Sequence, residues 1–126
     1  MGAAMYEKDF RISYLFDYYG NALTDKRKDA IDLYYNEDLS LAEIAEHINI
    51  TRQGVRDAIK HGEATLLELE EKLGFAGKLD AWKAAMEEIR KYAEAIKFSK
   101  NNINYYRILD ESADGILNKI KDLIGE

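Results

Sequence analysis

Two helix starts, eleven residues apart at Ser40 and Thr51, constrain this chain more than any other feature. Ser40 is followed three residues later by Glu43, so each side chain satisfies an orphan backbone N–H at the helix start. Leu39 and Ile44 flank that cap as a hydrophobic staple, which predicts a helix from Leu41 to about Ile48. Thr51, with Ile50 and Val55 as its staple, sets a second start at Arg52. Only Asn49, Ile50 and Thr51 remain to turn the chain. Asn49 stands where such turns tend to be left-handed, a conformation that Asn tolerates. Ile44, Ile48, Ile50, Val55 and Ala58 supply the apolar contacts, and Ala45 is small enough to let the helices approach. The spacing is that of a helix-turn-helix.

With Val55, Ala58, Ile59 and Gly62 turned inward, the second helix presents Gln53, Arg56, Asp57 and Lys60 outward, with Arg52 on one flank. Arg can bind guanine bidentately, Gln can bind adenine, and the Thr51 hydroxyl at the helix N-terminus can hold a phosphate. Thr51, Arg52, Gln53, Arg56 and Lys60 are therefore the candidate nucleic-acid-binding residues. An ordinary solvated face is the competing reading, and charge bears on it. From Thr24 to Gly62 six basic residues stand against eight acidic ones, whereas from Thr51 to His61 three basic residues stand against Asp57 alone. The second helix is a modest positive island in a chain of net charge −6, so DNA affinity is expected to be weak and steeply salt-dependent.

The rest of the chain reads as helix throughout. It has no Pro, and its β-branched residues show no strict alternation. A first helix is predicted from about Tyr6 to Tyr19, with Tyr6, Phe10, Tyr14 and Tyr18 as a packing stripe widened by Ile12, Leu15, Phe16 and Tyr19, and Gly20 ends it. Thr24 caps a second helix that buries Ala30, Ile31, Tyr34 and Tyr35 and closes at Asn36 to Asp38. Beyond the motif, Val55, Ile59, Gly62, Leu66, Leu69 and Leu73 form a heptad seam, making one long helix, with Gly74 and Phe75 as a Schellman ending. Gly62 marks a close approach or a slight kink.

A further helix runs from about Lys78 to Phe98, with Leu79, Trp82, Met86, Ile89, Ala93 and Ile96 as its seam. A last one carries Leu109, Ala113, Ile116, Ile120 and Leu123. Each seam is too short to stand alone in water, so the helices form an antiparallel bundle within the chain, pair with a second copy, or both. A homodimer is expected, because a helix-turn-helix that reads a symmetric site comes in pairs. The link Lys97 to Arg107 mixes Lys97, Lys100 and Arg107 with Phe98, Tyr105 and Tyr106. That mix suits an RNA contact, but a polar turn whose aromatics anchor into the bundle is the expected reading.

Several function classes are excluded. There is no Cys, so neither a disulfide framework nor a thiolate metal site is on offer. His47 and His61 lie on different helices with no carboxylate at ligand spacing, so no metal site and no catalytic residues are assigned. No glycine-rich phosphate loop or nucleophile elbow appears, so no cofactor and no enzymatic activity are expected. No apolar run approaches the roughly 18 residues of a membrane span, and a cytoplasmic protein without membrane insertion is expected.

The stretch LTDKRKDAIDLYYNEDLSLAEIAEHINITRQGVRDAIKHGEATL resembles the fourth region of sigma-70-type factors: a leucine-threonine start, LYY before the loop, and a valine-centred recognition helix. A complete sigma factor also needs a region that recognises the −10 element, for which this chain has no room. The whole chain more closely resembles the YlxM-like family of Gram-positive bacteria. The matching residues are Leu15 to Gly20, then Thr51, Arg52, Gln53, Gly54, Val55, Asp57, Ile59 and Lys60. Thr51 replaces a more usual Ser and keeps the capping hydroxyl, while His61 replaces an expected Arg and removes a fixed positive charge. The resemblance implies a sigma-region-4-like helix-turn-helix domain at 1–74; composition and the apolar seams give an all-α fold in which the recognition helix extends into a C-terminal antiparallel helical bundle, the hairpin at 75–126 serving packing or dimerisation. That family is encoded beside the signal recognition particle genes and is inferred to act in or regulate that pathway. The implied function is a regulatory DNA-binding protein; the alternative is an adaptor of the particle's protein or RNA that binds no DNA.

Overall fold

The structure is a computed structural model and describes residues 8–125. Six α-helices, and no strand, make up those residues: α1 (Phe10–Tyr19), α2 (Asp25–Tyr35), α3 (Leu41–Ile48), α4 (Arg52–Leu73), α5 (Phe75–Phe98) and α6 (Tyr105–Ile124). The chain divides into two compact units, Met1–Ala76 and Gly77–Glu126.

In the N-terminal unit, α1, α2 and α3 all pack on α4. The shared core is Ile12, Leu15 and Tyr19 of α1, Ala30, Ile31 and Tyr34 of α2, Ile44 of α3, and Val55, Ala58, Ile59 and Leu66 of α4. Gly62 lets α2 and α4 meet, since a Cβ there would stand 2.9 Å from Cγ1 of the fully buried Ile31.

Helix α1 departs from expectation in three ways. It starts at Phe10, because the Asp9 carboxylate accepts from the Arg11 N–H at 2.9 Å; Tyr6 lies outside the described residues. Its aromatic stripe is not the core face: Phe10 is 82% exposed and Tyr14 is exposed, whereas Ile12, Leu15 and Tyr19 are buried. At about 100° per residue, Phe10 and Tyr14 lie more than 90° round the helix from those three, so two overlapping apolar patterns competed and the aliphatic one was buried. Gly20 ends α1 as expected, but not in the left-handed conformation of a capping glycine. It is buried and right-handed (φ −53°, ψ −35°), continues into a 3₁₀ turn over Gly20–Ala22, and lies so near Phe16 that a Cβ would stand 3.1 Å from its ring.

Helix α4 ends at Gly74 (φ 59°), whose N–H donates to the Glu70 carbonyl at 2.8 Å. That single bond is the simple left-handed cap and not the Schellman motif, which needs the Phe75 N–H to turn back to the helix as well. Phe75 instead opens α5 and gives its N–H to the Tyr19 hydroxyl at 3.0 Å. The Ala76 N–H donates to the same hydroxyl and to Glu70 Oε1, which also accepts from the Tyr19 hydroxyl at 2.6 Å. Tyr19 and Glu70 thus cap a helix whose own sequence carries no cap, which is why α5 begins at Phe75 and not near Lys78.

In the C-terminal unit α5 and α6 are antiparallel. Glu88 pairs with Lys119 at 2.7 Å, and a Cβ on Gly115 would strike the Tyr92 ring, so moving forward along one helix means moving backward along the other. Neither helix fully buries an apolar side chain within this hairpin; the buried residues at its tip and flank are Ser99 and Ser112.

Candidate nucleic-acid interface

The motif is built by local chemistry. Ser40 Oγ accepts from the Glu43 N–H at 3.1 Å while Glu43 Oε1 accepts from the Ser40 N–H at 3.0 Å, so the capping box is closed in both directions. Those two hydrogen bonds to Ser40 hold the Glu43 carboxyl below the usual glutamate range. Asn49 follows α3 in the left-handed conformation (φ 58°, ψ 50°). The Ala45 carbonyl accepts from both Asn49 and, at 3.1 Å, Ile50, which locks the turn. Thr51 Oγ1 then accepts from the Gly54 N–H at 2.9 Å and starts α4.

These bonds aim the first three turns of α4 outward. Arg52, Gln53, Asp57 and Lys60 are exposed, Arg56 is half-buried, and Val55, Ala58 and Ile59 are in the core. The Thr51 hydroxyl spends only its acceptor on the cap, so its proton remains available to a phosphate oxygen. Gln53 is partly committed: its Nε2 donates to Asp57 Oδ1 at 3.0 Å, which orders the amide and leaves its carbonyl oxygen outward.

Charge placement adds residues that sequence reasoning missed. Among the described residues of the N-terminal unit, Lys8, Arg11 and Lys72 pair with Asp38, Asp9 and Glu68, and Lys28 donates to Asn21. The charged groups of Lys26, Arg27, Arg52, Arg56 and Lys60 have no ion-pair or hydrogen-bond partner there. Lys26 and Arg27 stand at the start of α2 and, with Thr24, Asp57, Ala58 and His61, line an open groove of about 470 Å³ beside the exposed face of α4. The unpaired cations of this unit thus lie on α4 and along the groove next to it. In the sequence Lys26 and Arg27 are ordinary first-turn residues; their link to α4 exists only through the α2–α4 packing at Gly62.

The hairpin tip also differs from expectation. Phe98 and Tyr106, with Ile103 (98% exposed), project into solvent beside Lys97, Lys100 and Arg107, so of the three aromatics only the half-buried Tyr105 packs at the turn. Among the described residues, no group of three or more His, Cys, Asp or Glu side chains could hold a metal ion, and no helix is long and apolar enough to cross a membrane.

A capped, three-residue turn between α3 and a solvent-facing α4, with a core that fixes both, defines a helix-turn-helix protein. Residues 6–106 match the family described as "Putative helix-turn-helix protein, YlxM / p13 like". A UPF0122 protein of Acetivibrio thermocellus is 44% identical over 103 residues, covering 82% of this chain and 88% of its own length. One from Clostridium perfringens is 43% identical over 112 residues, covering 89% and 98%. One from Desulforamulus reducens is 48% identical over 83 residues, covering 65% and 71%. The chain belongs to this YlxM / p13-like family, a helix-turn-helix family and not a family of enzymes.

Proposed function

We propose that the protein is a DNA-binding regulator whose helix α4 enters the major groove. Arg56 and Lys60 face base edges, Gln53 offers its carbonyl oxygen to a base donor such as the cytosine amino group, and Thr51 and Arg52 hold the adjoining phosphate. Lys26 and Arg27 grip the backbone on the far side of the groove they line. The observation that carries this reading is the gathering, among the described residues of the N-terminal unit, of all five cationic side chains without a partner on α4 and the groove beside it. Cations left unpaired in a chain of net charge −6 are placed for an anionic partner. Two copies acting together present two recognition helices to half-sites one helical turn apart. The reading implies a cytoplasmic protein, where chromosomal DNA is.

Fluorescence anisotropy against a pool of genomic fragments, at several salt concentrations, tests this. Binding should weaken steeply with salt, and Arg56→Ala should cost about 1–3 kcal/mol on preferred fragments. The Lys26→Ala/Arg27→Ala variant should lower the slope of log K against log salt by about 2, at little cost to sequence preference. No binding at low salt, or binding indifferent to Arg56, would sink the proposal.

A second reading, an adaptor for the protein or RNA of the signal recognition particle, is supported by the hairpin tip. Its exposed Phe98 and Tyr106 offer stacking faces among three cations and no carboxylate between Lys97 and Arg107. Co-purification with the particle's GTPase or RNA, lost on Phe98→Ala/Tyr106→Ala, tests it. Retention of the partner by that variant counts against the tip.

A further inference from the structure

The hairpin α5–α6 has an apolar surplus that it cannot bury. Trp82 and Met86 of α5 and Leu117, Ile120 and Ile124 of α6 are exposed, Met86 by 60% and Leu117 by 62%. Their placement is ordered. On α5 the residues touching α6 include Glu88 and Tyr92, and Trp82 and Met86 lie about 100° further round the helix. On α6 the residues touching α5 include Gly115 and Lys119, and Ile120 lies about 120° further round in the same rotational sense, with Ile124 and Leu117 beyond it at about 160° and 180°. In an antiparallel pair, equal rotation in the same sense brings both stripes to one side. Trp82, Met86 and Ile120 therefore share one side of the hairpin, and Ile124 and Leu117 extend that apolar surface round the outer face of α6.

We propose that a second copy of this chain covers that side, the two hairpins closing into a four-helix bundle in which α5 of each copy lies on α6 of the other. This names the surface for the pairing invoked above, and it is tested without DNA. Three observations select a second copy. First, a two-helix hairpin with no buried apolar side chain lacks a core, and a two-fold axis parallel to the helices supplies one from identical surfaces. Secondly, the area suffices: helices of 24 and 20 residues give a side roughly 30 Å long and 20 Å wide, or on the order of 1,200 Å² from both copies together.

Thirdly, the charges beside the apolar stripes match across that axis. The Glu88–Lys119 and Tyr92–Gly115 contacts set the levels of the two helices, and a two-fold parallel to them preserves those levels. Lys97 then lies within one turn of the level of Asp110 of the other copy. Lys97 and Asp110 make no ion pair within the described residues of their own chain. Opposite charges flanking an apolar seam are the device by which helical bundles choose partner and orientation.

Sedimentation equilibrium of the full chain at micromolar to 100 µM concentrations, with circular dichroism of every variant, tests the proposal. The unaltered chain should run at twice the chain mass. Met86→Lys/Leu117→Lys, at two solvent-exposed positions, should run at the chain mass with the melting of the N-terminal unit retained. Lys97→Asp should weaken self-association about tenfold, and Lys97→Asp/Asp110→Lys should restore it. A monomer at all concentrations, or a dimer indifferent to Met86→Lys/Leu117→Lys, overturns the proposed surface. A dimer lost with those lysines but not restored by the double charge exchange overturns the α5-on-α6 arrangement.

Discussion

At the scale of single residues, the motif depends on positions where backbone geometry leaves little choice. Asn49 sits at φ 58°, where a Cβ crowds the following carbonyl, a cost that glycine avoids and that the short polar side chain of Asn offsets by local hydrogen bonding. Asn49→Ala should therefore destabilise the N-terminal unit by about 1–2 kcal/mol, while Asn49→Gly stays within about 0.5 kcal/mol, both read by urea denaturation. Tyr19 acts at longer range. Burial and the Glu70 hydrogen bond raise its phenol above the usual tyrosine value, so it stays a neutral donor to Glu70 while accepting from the first amides of α5. Tyr19→Phe removes the acceptor of the Phe75 N–H, and hydrogen exchange at Phe75 should accelerate about tenfold with the helix-turn-helix amides unaffected. Asn49 was legible in the sequence because its constraint is local. Tyr19 was legible only as an apolar ring, since its hydroxyl partners lie more than fifty residues away.

At the scale of helices, the side-chain-capped starts at Thr24, Ser40 and Thr51 were read correctly, the Asp9 cap of α1 was missed, and the start of α5, which has no cap of its own, was placed too late. Ser40 and Thr51 each solve the orphan-amide problem within three residues, so α3 and α4 begin where their sequence says. The α3 cap gives a pH dependence. Glu43 is held below the usual glutamate range by its hydrogen bonds to Ser40, Asp38 below the aspartate range by Lys8, and Asp9 by Arg11. A carboxyl depressed in the folded state contributes stability that is complete above its unfolded value and is lost as pH falls through the folded one. Thermal stability of the N-terminal unit should thus be flat from neutral pH to about pH 5 and decline below about pH 4. Ser40→Ala should cost about 1 kcal/mol at pH 7 and make the acid decline shallower, because Glu43 loses part of what depresses it. Helix α5 is the counterexample: its start is capped by α1 and α4 side chains, and no local pattern announces that.

At the scale of the molecule, the two units differ in kind. The N-terminal unit buries apolar side chains from α1, α2 and α3 against α4, whereas the hairpin leaves its tryptophan, methionine and several isoleucines in water. Local stability follows buried apolar contact, so hairpin amides should exchange faster than those of α2 and α4 at low protein concentration. They should slow as concentration rises if a second copy completes their core, while exchange in α2 and α4 stays constant. Mass-spectrometric hydrogen exchange at two concentrations reads both outcomes. The surface of the N-terminal unit is equally divided: its paired cations are scattered, and its partnerless ones face a single groove and a single helix face.

The sequence by itself determined the all-helical class, the helix-turn-helix with its two capped starts, and the outward set on α4. Each rests on interactions spanning a few residues, which a linear pattern encodes directly. Only the tertiary structure decided which face of α1 is buried, where α5 begins, that Lys26 and Arg27 stand beside the exposed face of α4, and that the hairpin keeps apolar side chains exposed. Those depend on groups brought together across dozens of residues, where competing local patterns have similar strength and only packing against α4, or within the hairpin, selects one.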